Sequence, residues 1–368
     1  KEMFKDIKQV MKDSVLYGIG NVAVKLVGFI LIPLYTDAEY FSTADYGLMG
    51  LLEVTSQILI AVMGLSLYSG LIRWYWDAEY RDKQKTIFFT TLLFTILTSL
   101  CIGSVLWLNV GELSALLVQQ EGYSLGGELP YILQLLILTS MLGAVVEVPQ
   151  NLLRLQRKPI YYSLTNIVRL FVTLVLTIYF TISLHRGVSG VYEAQLVGIV
   201  IQLLMVLPLV IKNSSCRVDR KCTIQLLVYS YPLVFPAIVG SLLTVFDRYI
   251  INHFQGLDDV GFYSLGYKVG NTLKVFIVTS VQLALTPLLM KKMNDPDNKR
   301  FYSKVLTYFS FGLMFCALGL NLFSREGIVW VTTNPDYIEA LYVIPFVTYA
   351  IFFSMMRECC MIGLQIMK

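Results

Sequence analysis

The chain has 368 residues, of which 56% are hydrophobic and 15% charged, where an average soluble domain carries about 25% charged residues. Apolar runs of about 20 residues, enough to cross a bilayer as a helix, recur along the whole length. Composition therefore excludes an ordinary soluble enzyme and assigns the fold class as an all-α polytopic integral membrane protein.

The first thirteen residues, KEMFKDIKQVMKD, place Met3, Phe4, Ile7, Val10 and Met11 on one helical face and lysines on the other. That pattern suits a helix lying in the membrane interface, with a soluble amphipathic cap as the alternative. Ten spans are then expected, at 14–35, 46–72, 86–108, 130–153, 160–184, 190–211, 223–251, 261–290, 302–323 and 337–364. The first is too long for a signal-peptide core and has no small-residue cleavage site, so it belongs to the mature protein.

Lysine and arginine alternate between the connecting loops. The amino-terminal segment and the even-numbered loops carry nearly all of them, in sets such as Arg73, Arg81, Lys83 and Lys85, or Lys212, Arg217, Arg220 and Lys221. The odd-numbered loops carry only Arg186 and Arg325. The positive-inside rule then puts the amino terminus in the cytoplasm. The basic loops are explained by topology, and no nucleic-acid partner is expected.

The two halves of the chain echo one another. Asp45-Tyr46-Gly47 matches Asp259-Val260-Gly261, Gln57 matches Asn271, Asp82 matches Asp297 and Tyr17 matches Tyr231, at a nearly constant offset. Six spans separate the copies, so the repeat is parallel, with its axis along the membrane normal. The expected organisation is an interfacial helix at 1–13, an N-lobe at 14–211, a cytoplasmic linker at 212–222 and a C-lobe at 223–368. The end of the tenth span, Leu364-Gln365, resembles Leu155-Gln156 at the end of the fourth. About 10 of 12 helices are thus expected, the C-lobe stopping before helices 11 and 12, roughly 50–70 residues short on the repeat.

A basic lead into SVLYGIGNVAVKLVGFILIPLYT, followed by ADYGLMGLLEV, SGLIRWYWD and YPLVFPAIVGSLLTVFDRYIINHF, resembles the polysaccharide and O-antigen flippases of the multidrug/oligosaccharidyl-lipid/polysaccharide (MOP) exporter superfamily. The resemblance covers essentially the whole chain, as a pattern of residue classes. It implies two six-helix lobes around a central cavity lined largely by helices 1, 2, 7 and 8. It also implies alternating access, carrying an undecaprenyl-diphosphate-linked oligosaccharide from the inner to the outer leaflet of a bacterial cytoplasmic membrane. Membrane lipids and other polysaccharide-assembly proteins are the further partners it suggests.

A charge at mid-bilayer costs from about 2.5 to well over 10 kcal/mol, so it normally faces a cavity or a partner. The charged residues within spans concentrate on those four helices: Lys25, Glu53, Asp247, Arg248, Lys268 and Lys274. Cations outnumber carboxylates among them, which fits an anionic diphosphate. Lys25, Arg248, Lys268, Asn271 and Lys274 are the candidate substrate-binding residues. Lys25 and Lys274 lie roughly 16–20 Å from a helix end, too deep for a lysine to snorkel comfortably. Arg248 sits near an outer end, where snorkelling or a structural pair is an equal alternative. Glu53 and Asp247 are candidates for a coupling proton or sodium ion, with a static ion pair as the other reading. Adjacent on a helix, Asp247 and Arg248 need not pair with each other. Arg169 and Glu147 read as inter-helix structural groups. The stripe Thr244, Arg248, Asn252 either lines an aqueous path or glues helices together.

No nucleophilic triad, phosphate loop or carboxylate pair suggests catalysis. The six cysteines and two histidines show neither disulfide nor zinc spacing, so neither a cofactor nor a metal is expected. GIGNVA at 18–23 fits the dinucleotide fingerprint, but it sits inside a span with no preceding strand, so small-residue packing accounts for it better. The rival functions are a cation-coupled multidrug antiporter of the same superfamily, a membrane glycosyltransferase or polymerase using the same lipid carrier, and a lipid scaffold without transport. Orientation is the most directly testable expectation. In a cysteine-free background, a cysteine at Lys83 should react with an impermeant maleimide only after permeabilisation, and one at Arg186 should react in intact cells. The reverse pattern would overturn it.

Overall fold

The computed structural model describes residues 28–117, 127–215, 217–278 and 298–366. The interfacial helix, Lys25 with most of the first span, and the second half of the eighth span lie outside the described residues. Every regular element described is helical, and among the described residues seven helices are long and apolar enough to cross a membrane, or eight if one bent pair is a single span. The chain is therefore an all-α, multi-pass membrane protein. It divides into two compact units, residues 44–260 and residues 1–43 with 261–368. The expected boundary at 212–222 falls inside the first of these, so the span after the linker packs with residues 44–215.

In the unit 44–260, α1 (Thr43–Gly64) and α2 (Leu67–Trp74) occupy the second expected span. They are separated by Leu65 and Ser66, both in the left-handed region at φ 44° and 51°. That conformation costs on the order of 1–3 kcal/mol for a non-glycine residue, so the expected unbroken helix at 46–72 is corrected to a broken one. A short 3₁₀ turn (Ala78–Lys83) leads to α3 (Gln84–Leu108). Then come α4 (Val110–Leu117), α5 (Leu129–Leu155) and α6 (Pro159–Ile178), the last widening into a π-turn at Tyr179–Ser183. α7 (Gly187–Asn213) and the 35-residue α8 (Arg220–Phe254) complete the unit.

α5 is the hub, packing against α3, α6 and α7, with 56% of its most apolar window buried, against 17% for α6. Since lipid is as apolar as leucine, such helices are held by close packing and interhelical hydrogen bonds. Gln150 Nε2 donates to Thr165 Oγ1 at 2.9 Å. Arg169 donates to Gln202 at 3.1 Å, and Gln202 in turn donates to Asn166 at 3.0 Å. Arg169 is thus a structural tie between α6 and α7, as its sequence context suggested.

The polar ends of the spans are stitched together. Gln156 Nε2 reaches Asn213 Oδ1 at 2.9 Å and Tyr75 Oη at 3.2 Å. Lys83 Nζ reaches Asp219 Oδ2 at 2.5 Å. Asp219 is also the N-cap of α8, its carboxylate accepting from the Lys221 N–H. The hydrogen bond from Lys83, followed by that from Lys221, holds the Asp219 carboxyl below the ordinary carboxylate range.

In the other unit, α9 (Leu257–Thr272) continues as a π-helical segment, Leu273–Val278. It is followed by α10 (Asn298–Leu322), α11 (Ser324–Val331), a 3₁₀ segment at Pro335–Tyr342, and α12 (Ile344–Ile366). The 3₁₀ segment bends by 41° into α12, so the tenth expected span is kinked. Leu273, Val278, Leu313, Val347, Ile351 and Met355 form its apolar core.

Two glycines let α9 come close to its neighbours. A Cβ on Gly266 would lie 2.6 Å from the Ala340 carbonyl, and one on Gly270 would lie 2.9 Å from Val347 Cβ. Nothing lies within 4 Å of a Cβ on Gly312. Gly270→Val should therefore destabilise the detergent-solubilised protein by about 1–3 kcal/mol through overpacking, while Gly312→Val should leave its thermal midpoint almost unchanged.

Candidate functional site

The expected site residues fall into both units. Lys268 and Asn271 lie three residues apart on α9 and share a face; both are half-buried. Lys274, exposed, follows on the π-helical segment. Single π-turns inserted in helices recur at functional sites, and here one carries Lys274.

In the unit 44–260, Glu53 and Gln57 stand one turn apart on the exposed face of α1. Thr55 joins that helix to α8. Its Oγ1 donates to the Leu51 carbonyl at 2.7 Å, so the Tyr249 phenol, 2.7 Å away, donates to Thr55. Next to Tyr249 the Arg248 side chain is buried, with 8% of its surface exposed. Arg248 and Asp247, which as neighbours on a helix need not pair, do meet. Asp247 Oδ1 accepts from the Arg248 N–H at 2.8 Å and lies 3.8 Å from its guanidinium. Asn252 donates to the Leu117 carbonyl at 2.7 Å, and Thr244 donates to Ser241 O of its own helix at 2.8 Å. That stripe on α8 is therefore largely committed to structural bonds.

The cavity at the helix break has no counterpart in the hydrophobic pattern of the chain. It has a volume of about 380 Å³ and is lined by Gln57, Ile60, Ala61, Gly64, Ser66, Tyr68, Glu147, Ala237 and Ser241. Three contacts of α1 with α5 advance together along both helices. Ser56 and Ser140 are hydrogen-bonded at 3.0 Å. A Cβ on Gly143 would touch Ile60 at 3.1 Å, and one on Gly64 would sit 3.9 Å from Glu147 Oε2. The two helices run in the same direction, and the Glu147 carboxylate arrives where α1 stops. Glu147, expected as an inter-helix structural group, also lies in this cavity's wall. Only Gly64, Ser66 and Gly70 in GLSLYSG hinted at the break. Among the described residues, no group of three or more His, Cys, Asp or Glu is placed to hold a metal ion.

This helical architecture is similar to that of solved membrane transporters. It is similar to a crystal structure of MATE in the straight conformation (TM-score 0.67, 16% identity, 97% of this chain and 82% of that one). It is equally similar to an inward-facing multidrug resistance MATE family transporter (TM-score 0.67, 15% identity, 96% and 82%). A third likeness is to a MOP superfamily transporter from Pyrococcus furiosus, described as having a binding pocket of reverse polarity (TM-score 0.64, 14% identity, 98% and 84%). The sequence model of a polysaccharide biosynthesis protein family matches residues 10–293, and the chain belongs to that family. No curated protein matches it.

Tyr249→Phe should cost about 1 kcal/mol, the worth of an ordinary hydrogen bond, since Thr55 keeps its bond to Leu51. Arg248→Ala should cost more, about 1.5–3 kcal/mol, because it removes a buried guanidinium beside the Asp247 carboxylate, which keeps its bond from the residue-248 N–H. Asp247→Asn in that background should recover part of the loss when the three variants are compared by thermal denaturation.

Proposed function

We propose that this protein flips a polyprenyl-diphosphate-linked oligosaccharide from the inner to the outer leaflet of the bacterial cytoplasmic membrane, with its amino terminus in the cytoplasm. The observation that carries this reading is membership of a polysaccharide biosynthesis family in a chain with a transporter fold. Such a family needs its lipid-linked intermediates moved across the membrane, and no catalytic constellation in the sequence points to making or joining sugars. O-antigen and capsule precursors are the cargo class that this reading names.

Lys25, Arg248, Lys268, Asn271 and Lys274 are the residues proposed to engage the cargo. An ammonium in a low-dielectric path attracts a diphosphate far more strongly than one in water. The half-buried setting of Lys268 and Asn271 favours them for the headgroup. Arg248, already paired with Asp247, holds the shape of the path and contributes less charge than the sequence suggested. Glu53 and Asp247 remain the proposed carriers of a coupling ion on the exposed face of α1 and beside Arg248.

Native mass spectrometry of the full chain purified gently from its own host tests this. Wild-type protein should retain a polyprenyl-diphosphate glycan. Lys25→Ala, Lys268→Ala or Lys274→Ala should each lower retention about tenfold or more, the loss of one charge-assisted contact of ~1.5 kcal/mol. Absence of lipid, with organic cations bound and displaceable instead, would select the multidrug antiporter reading.

A further inference from the structure

A second cavity, of about 350 Å³, opens between residues 38–43, which join the first two expected spans, and Asn334 and Asp336 at the start of the 3₁₀ segment. Both stretches belong to the unit of residues 1–43 with 261–368. The volume falls within the range of small-molecule sites, about 300–1,000 Å³. Hydrogen bonds fix its frame. Thr333 Oγ1 donates to the Thr36 carbonyl at 3.0 Å and so ties the two stretches together. The Asp37 carbonyl accepts from the N–H groups of Tyr40 and Phe41 at 3.1 and 2.9 Å, and the Asp37 carboxylate accepts from the Glu39 N–H at 3.0 Å. On the other side, the buried Tyr337 packs edge-on against Phe262 with ring centroids 5.8 Å apart, which anchors the 3₁₀ segment.

The residues in the wall supply acceptors, one amide donor and ring surface. Glu39 and Asp336 are exposed, and among the described residues their carboxylates have no partner. Asn334 Oδ1 is taken by the Asp336 N–H at 2.9 Å, so its amide offers the NH2 end, a donor. Ser42 adds a hydroxyl. Tyr40 is half-buried, and Phe41 is buried edge-on against Tyr35 with ring centroids 5.6 Å apart. Residues 36–45 and 324–340 together carry six carboxylates and one cation, Arg325, so a phosphate or an acidic sugar is repelled. A ligand rich in O–H and N–H donors is favoured, because an ionised carboxylate only accepts, and such hydrogen bonds are the stronger for its charge. Sugar hydroxyls fit this wall on both counts, donating to the carboxylates and accepting from the Asn334 amide.

We infer that this cavity is a saccharide subsite for a neutral or amino sugar. Glu39 and Asp336 accept from its hydroxyl or amine hydrogens, Asn334 donates to one of its oxygens, and Tyr40 borders the ring. On the proposed topology residues 36–43 and 333–336 lie on the outer side, where the glycan of a flipped lipid emerges. Assigning the sugar to that cargo rests on the flippase reading, whereas the binding itself rests on the cavity. Cationic residues for the diphosphate and an acceptor-rich site for the sugar match the two ends of one molecule.

Saturation-transfer NMR titrations of the full chain in detergent test this with free sugars of different charge. N-acetylglucosamine and glucosamine should bind, and glucuronate should not. Ethanolamine, an amine without the sugar ring, should bind at least about tenfold more weakly than glucosamine. Asn334→Asp keeps the oxygen that caps the 3₁₀ segment, removes the donor and adds a carboxylate. It should weaken N-acetylglucosamine by about five- to tenfold, the loss of one hydrogen bond. Glu39→Gln and Asp336→Asn, which keep the shape, should each weaken glucosamine more than N-acetylglucosamine. A wild-type protein that binds neither sugar overturns the inference, as does glucuronate bound as tightly as N-acetylglucosamine. Glucosamine bound no better than ethanolamine, and strengthened by Asn334→Asp, also overturns it, since the loops would then be an acidic surface that gathers cations. Lipid retention is read separately. A protein that keeps its lipid but binds no free sugar fails this inference alone, and one that binds sugar but retains no lipid fails the flippase reading alone.

Discussion

Within the hydrocarbon core there is no water to satisfy a backbone N–H or C=O, and each unsatisfied group costs several kcal/mol. Every structural choice in this chain follows from that constraint. The described spans are helices because a helix satisfies its own backbone. Where a helix is interrupted, as at Leu65 and Ser66, side chains and neighbouring residues must take up the freed groups. Thr98 does so at Met63, and Ser66 Oγ reaches the Leu233 carbonyl at 3.4 Å. An interruption held in place at such cost is the natural position for a cavity, and one is found there.

The same constraint explains the packing. The hydrophobic effect drives helices into the membrane and gives little preference for one helix–helix contact over another. Contacts are therefore set by small residues and by buried polar pairs. Gly266 and Gly270 bring α9 against residues 340–347, and Gly143 brings α5 against α1. Gln150, Arg169 and Gln202 bind α5, α6 and α7 into one body. Large apolar side chains such as Phe171 and Trp330 remain exposed, as expected of surfaces that face lipid.

Charged and polar groups within the spans differ in their surroundings. Arg169 and Arg248 are already engaged, the first by Gln202 and the second by Asp247, so much of their value is structural. Glu147 stands at a helix end in a cavity. Lys268, Asn271 and Lys274 lie along one stretch of α9 and its π-helical continuation. A reading of charges by span alone gives these groups equal weight, whereas their surroundings distinguish Arg169, Arg248 and Glu147.

Sequence by itself determined the class of protein, the number and order of the described spans, and the family. The class and the spans follow from hydropathy and span length, local properties that lipid and water act on directly, and the family from a resemblance in the pattern of residue classes along the chain. It also found most helix boundaries to within a few residues, as at α3, α5 and α8. Only tertiary structure decided that the second span breaks at Leu65, that the span after the linker packs with residues 44–215, that Asp247 and Arg248 meet, and that Glu147 lines a cavity. Each of these depends on which neighbour lies across a helix face, and two side chains far apart in sequence carry no record of their contact in the hydrophobic period of either helix.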